Sequence, residues 1–145
     1  MDGCSCLMNS LQPDGMHFSF FETDFASFLA WWEWGFPDRT VTNCFAMGAI
    51  RSADGAFLLG VMGPHTAKPD SVYFPAGIPE PDDIVHGGVD LAGSLFRELE
   101  EETGLSRTLF SMRPGWTVVM DGQITALIRV LIAEEGEAEL RARVT

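Results

Sequence analysis

The chain has 145 residues, 46% of them hydrophobic, and a formal net charge of −12 from nine Lys and Arg against 21 Asp and Glu. That length and apolar content suit one folded domain with its own core. The acidity argues against binding to nucleic-acid polymers or an acidic membrane surface, both of which need a basic patch, and no apolar run reaches membrane-spanning length.

Cys4, Cys6 and Cys44 form no even disulfide framework, and Cys4-Ser5-Cys6 lacks the two-residue gap of a zinc ligand pair. They read as reduced thiols. With no basic segment leading into an apolar core at the start, the expected compartment is the cytoplasm.

Residues 1–16 are polar and glycine-punctuated without periodicity, so a disordered segment is expected there, followed by a single domain over 17–145. Residues 18–36, FSFFETDFASFLAWWEWGF, are strongly aromatic; Thr23 or Asp24 can cap a helix running to about Trp34. Trp31, Trp32 and Trp34 then either pack on a sheet, offer stacking surface to a ligand, or face a partner.

Residues 41–50 read as a buried strand, 52–55 as a turn and 56–62 as the returning strand. The following loop holds His65, either without a role or in contact with a phosphate or base, and Lys68, either solvated or in contact with a phosphate. Residues 72–75 form a short strand that delivers Pro75-Ala76-Gly77, and 80–89, EPDDIVHGGV, read as a loop rich in Pro, Gly and Asp.

A helix is expected over DLAGSLFRELEEETGL, from a cap at Asp90 to Gly104, where a left-handed residue is wanted. Leu95, Leu99, Ala92 and Phe96 share its apolar face. Glu98, Glu101 and Glu102 fall on an adjacent arc, while Glu100 points elsewhere. Crowded like charges near a helix C-terminus cost about 0.3–1 kcal/mol each, and a divalent cation relieves that conflict. Hard oxygen donors on one rigid face suit Mg²⁺ or Mn²⁺. The other reading is a solvated charged face.

After the helix, 111–114 read as a connection, and 116–120 with 124–133 as a hairpin around Asp121-Gly122 whose second arm is a central strand. The last stretch, 134–145, is an acidic tail with a short helix over 138–144, or the chain is a fragment of something longer. Glu134, Glu135, Glu137 and Glu139 read as carboxylates of a solvated acidic tail.

Arg97-Glu98-Leu99-x-Glu101-Glu102-x-Gly104-Leu105 resembles the second half of the Nudix box, the signature of hydrolases acting on nucleoside diphosphates linked to another group. The first half departs from that pattern. Gly77, the glycine of a Phe74-Pro75-Ala76-Gly77 turn, stands six residues further from Arg97 than the family spacing. Six residues are therefore inserted within 80–89, and Glu80, Asp82 or Asp83 is left to replace the first glutamate, which in the family pairs with the arginine.

The resemblance implies the Nudix fold, a three-layer α/β/α sandwich around a mixed β-sheet, possibly truncated at its C-terminus. It implies Mg²⁺ or Mn²⁺ held by Glu98, Glu101, Glu102 and a backbone carbonyl from Ala76 or Gly77. Arg97 would orient the carboxylates, and Glu98, Glu101 or a loop carboxylate, with Glu134, Glu135, Glu137 and Glu139 as candidates, would take a proton from the attacking water. The implied substrate is a small nucleotide derivative, with coenzyme A or acyl-coenzyme A narrowly favoured over ADP-ribose or dinucleotides because 74–83 faintly resemble coenzyme A diphosphatases. A homodimer is compatible. The alternative is a non-catalytic Nudix-like domain that binds a nucleotide for regulation.

Overall fold

In the computed structural model, which describes residues 5–11, 18–66 and 68–144, the chain is mixed α/β, with a mixed sheet and three helices. The elements are β1 (Ser5–Leu11), β2 (Phe18–Asp24), α1 (Phe25–Glu33), β3 (Val41–Arg51), β4 (Phe57–Leu58), β5 (Gly60–Val61), β6 (Val72–Tyr73) and β7 (Ala76–Gly77). There follow β8 (Ile84–Val85), β9 (Gly88–Val89), α2 (Leu91–Thr103), β10 (Phe110–Met112), β11 (Thr117–Asp121), β12 (Ile124–Ala133) and α3 (Glu137–Arg143).

Two long apolar strands make the centre. β3 and β12 run parallel, in register from Asn43 opposite Ile124 to Arg51 opposite Ile132. Their outer edges are covered piecewise by antiparallel segments. β1, β7 and β4 cover successive parts of β3, while β11 and β10 cover β12. β1 in turn pairs with β2 along all seven of its residues.

The main core lies where α2 and α3 meet this pair. Leu95, Phe96 and Leu99 of α2 pack with Ala46 and Ile50 of β3, Leu131 and Ala133 of β12, and Leu140 of α3. Gly48 lets the helix come close, since a Cβ there would stand 3.1 Å from Leu95 Cδ1 and 3.2 Å from Leu131 Cδ1. Burying side chains of this size stabilises the fold by about 1.5–3 kcal/mol each. A second cluster joins Phe28 and Trp31 of α1 to Val41 at the start of β3.

Local signals set the helix ends. Asp24 caps α1 by accepting from Ser27 N at 2.7 Å, so residues 18–24 are strand and the helix begins at Phe25. Asp90 caps α2 by accepting from Gly93 N at 2.9 Å, and Gly104 ends it at φ 76°. Trp31 is buried and donates its indole N–H to Asp38 O at 3.0 Å, whereas Trp34 is 75% exposed. The three tryptophans thus have different surroundings.

Three stretches differ from the sequence expectation. The disorder expected over 1–16 is replaced at Ser5–Leu11 by β1, while residues 1–4 and 12–16 lie outside the described residues. The connection expected at 111–114 is instead entered through β10, which pairs Phe110 with Ala133 and Met112 with Leu131. β10 forms against β12, which lies further along the chain, and β1 against the neighbouring β2 and the first residues of β3. The returning strand over 56–62 breaks after Leu58, and Gly60–Val61 pairs with Val72–Tyr73 instead. No helix among the described residues is long and apolar enough to cross a membrane.

Candidate active site

The carboxylate helix α2 is laid against β7 and β3, and Gly77 on β7 makes the closest approach. A Cβ on Gly77 would stand 2.1 Å from Glu98 Cγ and 2.3 Å from its Cδ. Only a residue without a side chain admits Glu98 there.

Arg97 organises the acids around it. Its Nη1 donates to Asp83 Oδ1 at 2.6 Å and lies 3.8 Å from Glu80 Oε2, while Nη2 donates to Glu98 Oε1 at 3.1 Å. Burial works against the charged guanidinium, but the Glu98 hydrogen bond and the nearby charges of Asp83 and Glu80 outweigh it and raise its pKa above the usual arginine value. Asp83 is itself buried at 7% exposure, and its second oxygen accepts from Glu80 N at 2.7 Å. Both oxygens are satisfied, as a buried carboxylate requires. Of the three acids open as the arginine's partner, Asp83 makes the close contact, Glu80 a looser one, and Asp82 is exposed.

Asp83 stands at the position that the expected insertion leaves for the first acid of the resembled pattern. Five residues separate it from Gly77, and seven, starting at Asp90, precede Arg97, which are the spacings of the box pattern. The surplus is the hairpin Ile84–Val89, formed by β8 and β9 around His86 and Gly87 at φ 51° and 78°. Positive φ at both central residues suits the twist of a two-residue hairpin. Asp90 N donates to Asp83 O at 2.7 Å and closes the hairpin at its base. The sequence carried this signal, in apolar pairs flanking His86-Gly87, beneath its loop-like composition.

Glu98 is half-buried, and Glu101 and Glu102 are exposed on the next turn. Glu102 has a raised pKa, first from partial burial and then from the charges of Glu98 and Glu101. The charges of Glu98 and Glu101 therefore lie near enough to oppose the ionisation of Glu102. Glu98 is turned toward Arg97, and among the described residues no three His, Cys, Asp or Glu side chains are gathered around one point. Glu98 and the Glu101 and Glu102 that follow it by three and four positions on one helix are nevertheless the hard oxygen donors that could hold a cation.

Glu102 also walls a cavity of about 180 Å³ lined by Leu58, Leu59, Val61, Tyr73 and Pro75. The Tyr73 ring lies against bare Gly60, where a Cβ would come within 2.7 Å of its Cζ. His65 and Lys68 are exposed in the loop between β5 and β6. Glu135 is held by Arg143 through contacts of 2.6 and 2.5 Å, and Glu137 by Arg141 at 3.3 Å, so neither is a free base. Compared with known proteins, the chain matches no family model and no curated protein.

Proposed function

We propose that the protein is a Nudix-type hydrolase that cleaves a diphosphate bond in a nucleoside diphosphate linked to another moiety, with Mg²⁺ or Mn²⁺ as cofactor. The observation that carries this reading is the Asp83–Arg97–Glu98 chain of contacts beside Gly77, at the spacing of the box once the hairpin is set aside. The Nudix fold, with its three layers, goes with it. In support, α2 and α3 share one core cluster while α1 builds another on Val41.

The donor set fits a divalent cation: three carboxylates on successive turns of one helix, with the charge conflict expressed at Glu102. Glu98, Glu101 and Glu102 would hold it. When bound, the cation supplies Lewis acidity toward the phosphate oxygens and the attacking water. Arg97, anchored by Asp83, keeps Glu98 on the substrate side of the helix by a charge-assisted hydrogen bond. Water attacks phosphorus, a bridging P–O bond breaks with its electron pair on the departing phosphate, and Glu98 or Glu101 accepts the water's proton. Asp83 serves as the box's first acid, which removes one ground for a non-catalytic, regulatory domain.

The test is turnover of coenzyme A, acetyl-coenzyme A, ADP-ribose, NADH and diadenosine polyphosphates with Mg²⁺ or Mn²⁺, on the wild type and Glu102→Gln. Metal-dependent cleavage lost in the variant is expected. A folded protein that binds metal and turns over none of these would move the reading to nucleotide binding without catalysis.

A further inference from the structure

Beside the carboxylate helix, the cavity walled by Glu102 shares Leu58 and Leu59 with a second cavity of about 240 Å³ that extends toward α3. Phe57 and Leu140 continue the apolar lining there, and the Glu137–Arg141 ion pair marks the far end. Adjoining at Leu58 and Leu59, the two read as one trough from Glu102 toward Leu140.

The polar side chains along this trough are already engaged. Thr103 Oγ1 donates to Leu99 O at 2.6 Å and accepts from Leu105 N at 3.1 Å. The Ser52 hydroxyl is bound to Asp54 and accepts from Ala56 N, and Glu137 is paired with Arg141. Glu102 and the exposed Glu137–Arg141 pair at the far end aside, this leaves the Tyr73 hydroxyl as the polar side-chain group free to meet a ligand among the described lining residues. A nucleobase or sugar laid across Leu58, Leu59 and Val61 would find few side-chain partners for its donors and acceptors, and each one buried unpaired carries a desolvation cost. A hydrocarbon chain has no such demand.

We propose that the moiety linked to the diphosphate is an aliphatic chain, seated in the trough from Glu102 across Leu59 toward Leu140. This rests on the hydrolase reading, because Glu102 sets where the diphosphate ends and the chain begins. The nucleoside end of the substrate then lies on the other side of the metal-binding carboxylates. The Gly60–Tyr73 contact keeps the ring flat against the strand and the trough open.

The test is calorimetric binding of inorganic diphosphate and of ethyl, butyl, hexyl and octyl diphosphate to the full chain with Mg²⁺. Each added methylene is expected to tighten binding about fourfold until the trough is filled. Leu59→Asp, at a side chain already 45% exposed, is expected to abolish that gain while leaving inorganic diphosphate binding unchanged. Val61→Asp, at 64% exposure, provides a second variant should the first fail to fold. If inorganic diphosphate does not bind, the hydrolase reading falls and this one with it. If it binds but affinity is flat along the series, or the gain survives both substitutions, the chain site alone is overturned.

Discussion

Asp83 and Arg97 stand 14 positions apart in the chain and 2.6 Å apart in space, with the hairpin Ile84–Val89 between them. The contact joins a buried acid to the arginine that also donates to Glu98. The arginine in turn orients Glu98.

Removing that acid is expected to be costly. Asp83→Ala leaves Arg97 without its closest partner and Glu80 N without its acceptor, and should lower unfolding free energy by about 2–4 kcal/mol. Glu80→Gln, at a contact of 3.8 Å and a side chain 46% exposed, should change it by less than about 0.5 kcal/mol. Urea denaturation of both variants, followed by circular dichroism, checks the contrast.

Glu102→Gln is expected to stabilise the metal-free protein slightly while weakening cation binding at least tenfold. Relief of like charge on a helix surface is worth about 0.2–0.5 kcal/mol. The raised pKa of Glu102 sets the pH dependence. A carboxyl that is harder to ionise in the folded state favours folding when protonated, so its contribution is present below the ordinary value of 4.5 and lost as pH rises through the folded value. The variant's stability advantage should therefore appear above that range and vanish below about pH 4.5 in metal-free buffer. Denaturation midpoints at several pH values measure it.

Gly77→Ala is expected to push Glu98 off the sheet, because the new methyl would meet Glu98 Cγ near the root of its side chain. Overpacking of this kind costs about 1–3 kcal/mol. Mn²⁺ affinity, read by electron paramagnetic resonance, should fall in a protein that remains folded, and an unchanged affinity would separate Gly77 from the metal-binding role assigned to Glu98.

Excising Ile84–Val89, so that Asp83 is followed directly by Asp90, is expected to leave a folded protein with the Asp83–Arg97 pair intact. The Asp90 N to Asp83 O bond already brings the two ends together. Retained cooperative unfolding and retained Mn²⁺ binding are the expected result.

The helix α2 was legible to its last residue because its signals are local: a capping aspartate, leucines four apart, and a glycine at the end. The carboxylate arc followed from helix geometry alone. Asp83 was legible only as one of three acids, since which of them reaches Arg97 depends on how the hairpin folds out. β1 and β10 were missed for a related reason. Neither stretch carries a period of its own, and each becomes a strand through pairing, β1 with the adjacent β2 and β10 with β12 further along the chain. Trp31, Trp32 and Trp34 looked equivalent in sequence and are not, because the buried indole is defined by a carbonyl at Asp38, beyond the helix.

The parallel pairing of β3 with β12 has a consequence for how the molecule is made. Gln123 Nε2 bonds to Val41 O across 82 positions, and the whole central ladder begins at that point. During synthesis, β3 emerges early as an apolar strand and must wait for most of the remaining chain before its main partner exists. Such long-range closure is slow and leaves a sticky edge uncovered meanwhile. Chains interrupted before Ile124 should therefore aggregate, and refolding from denaturant should be slow and give best yields at low protein concentration.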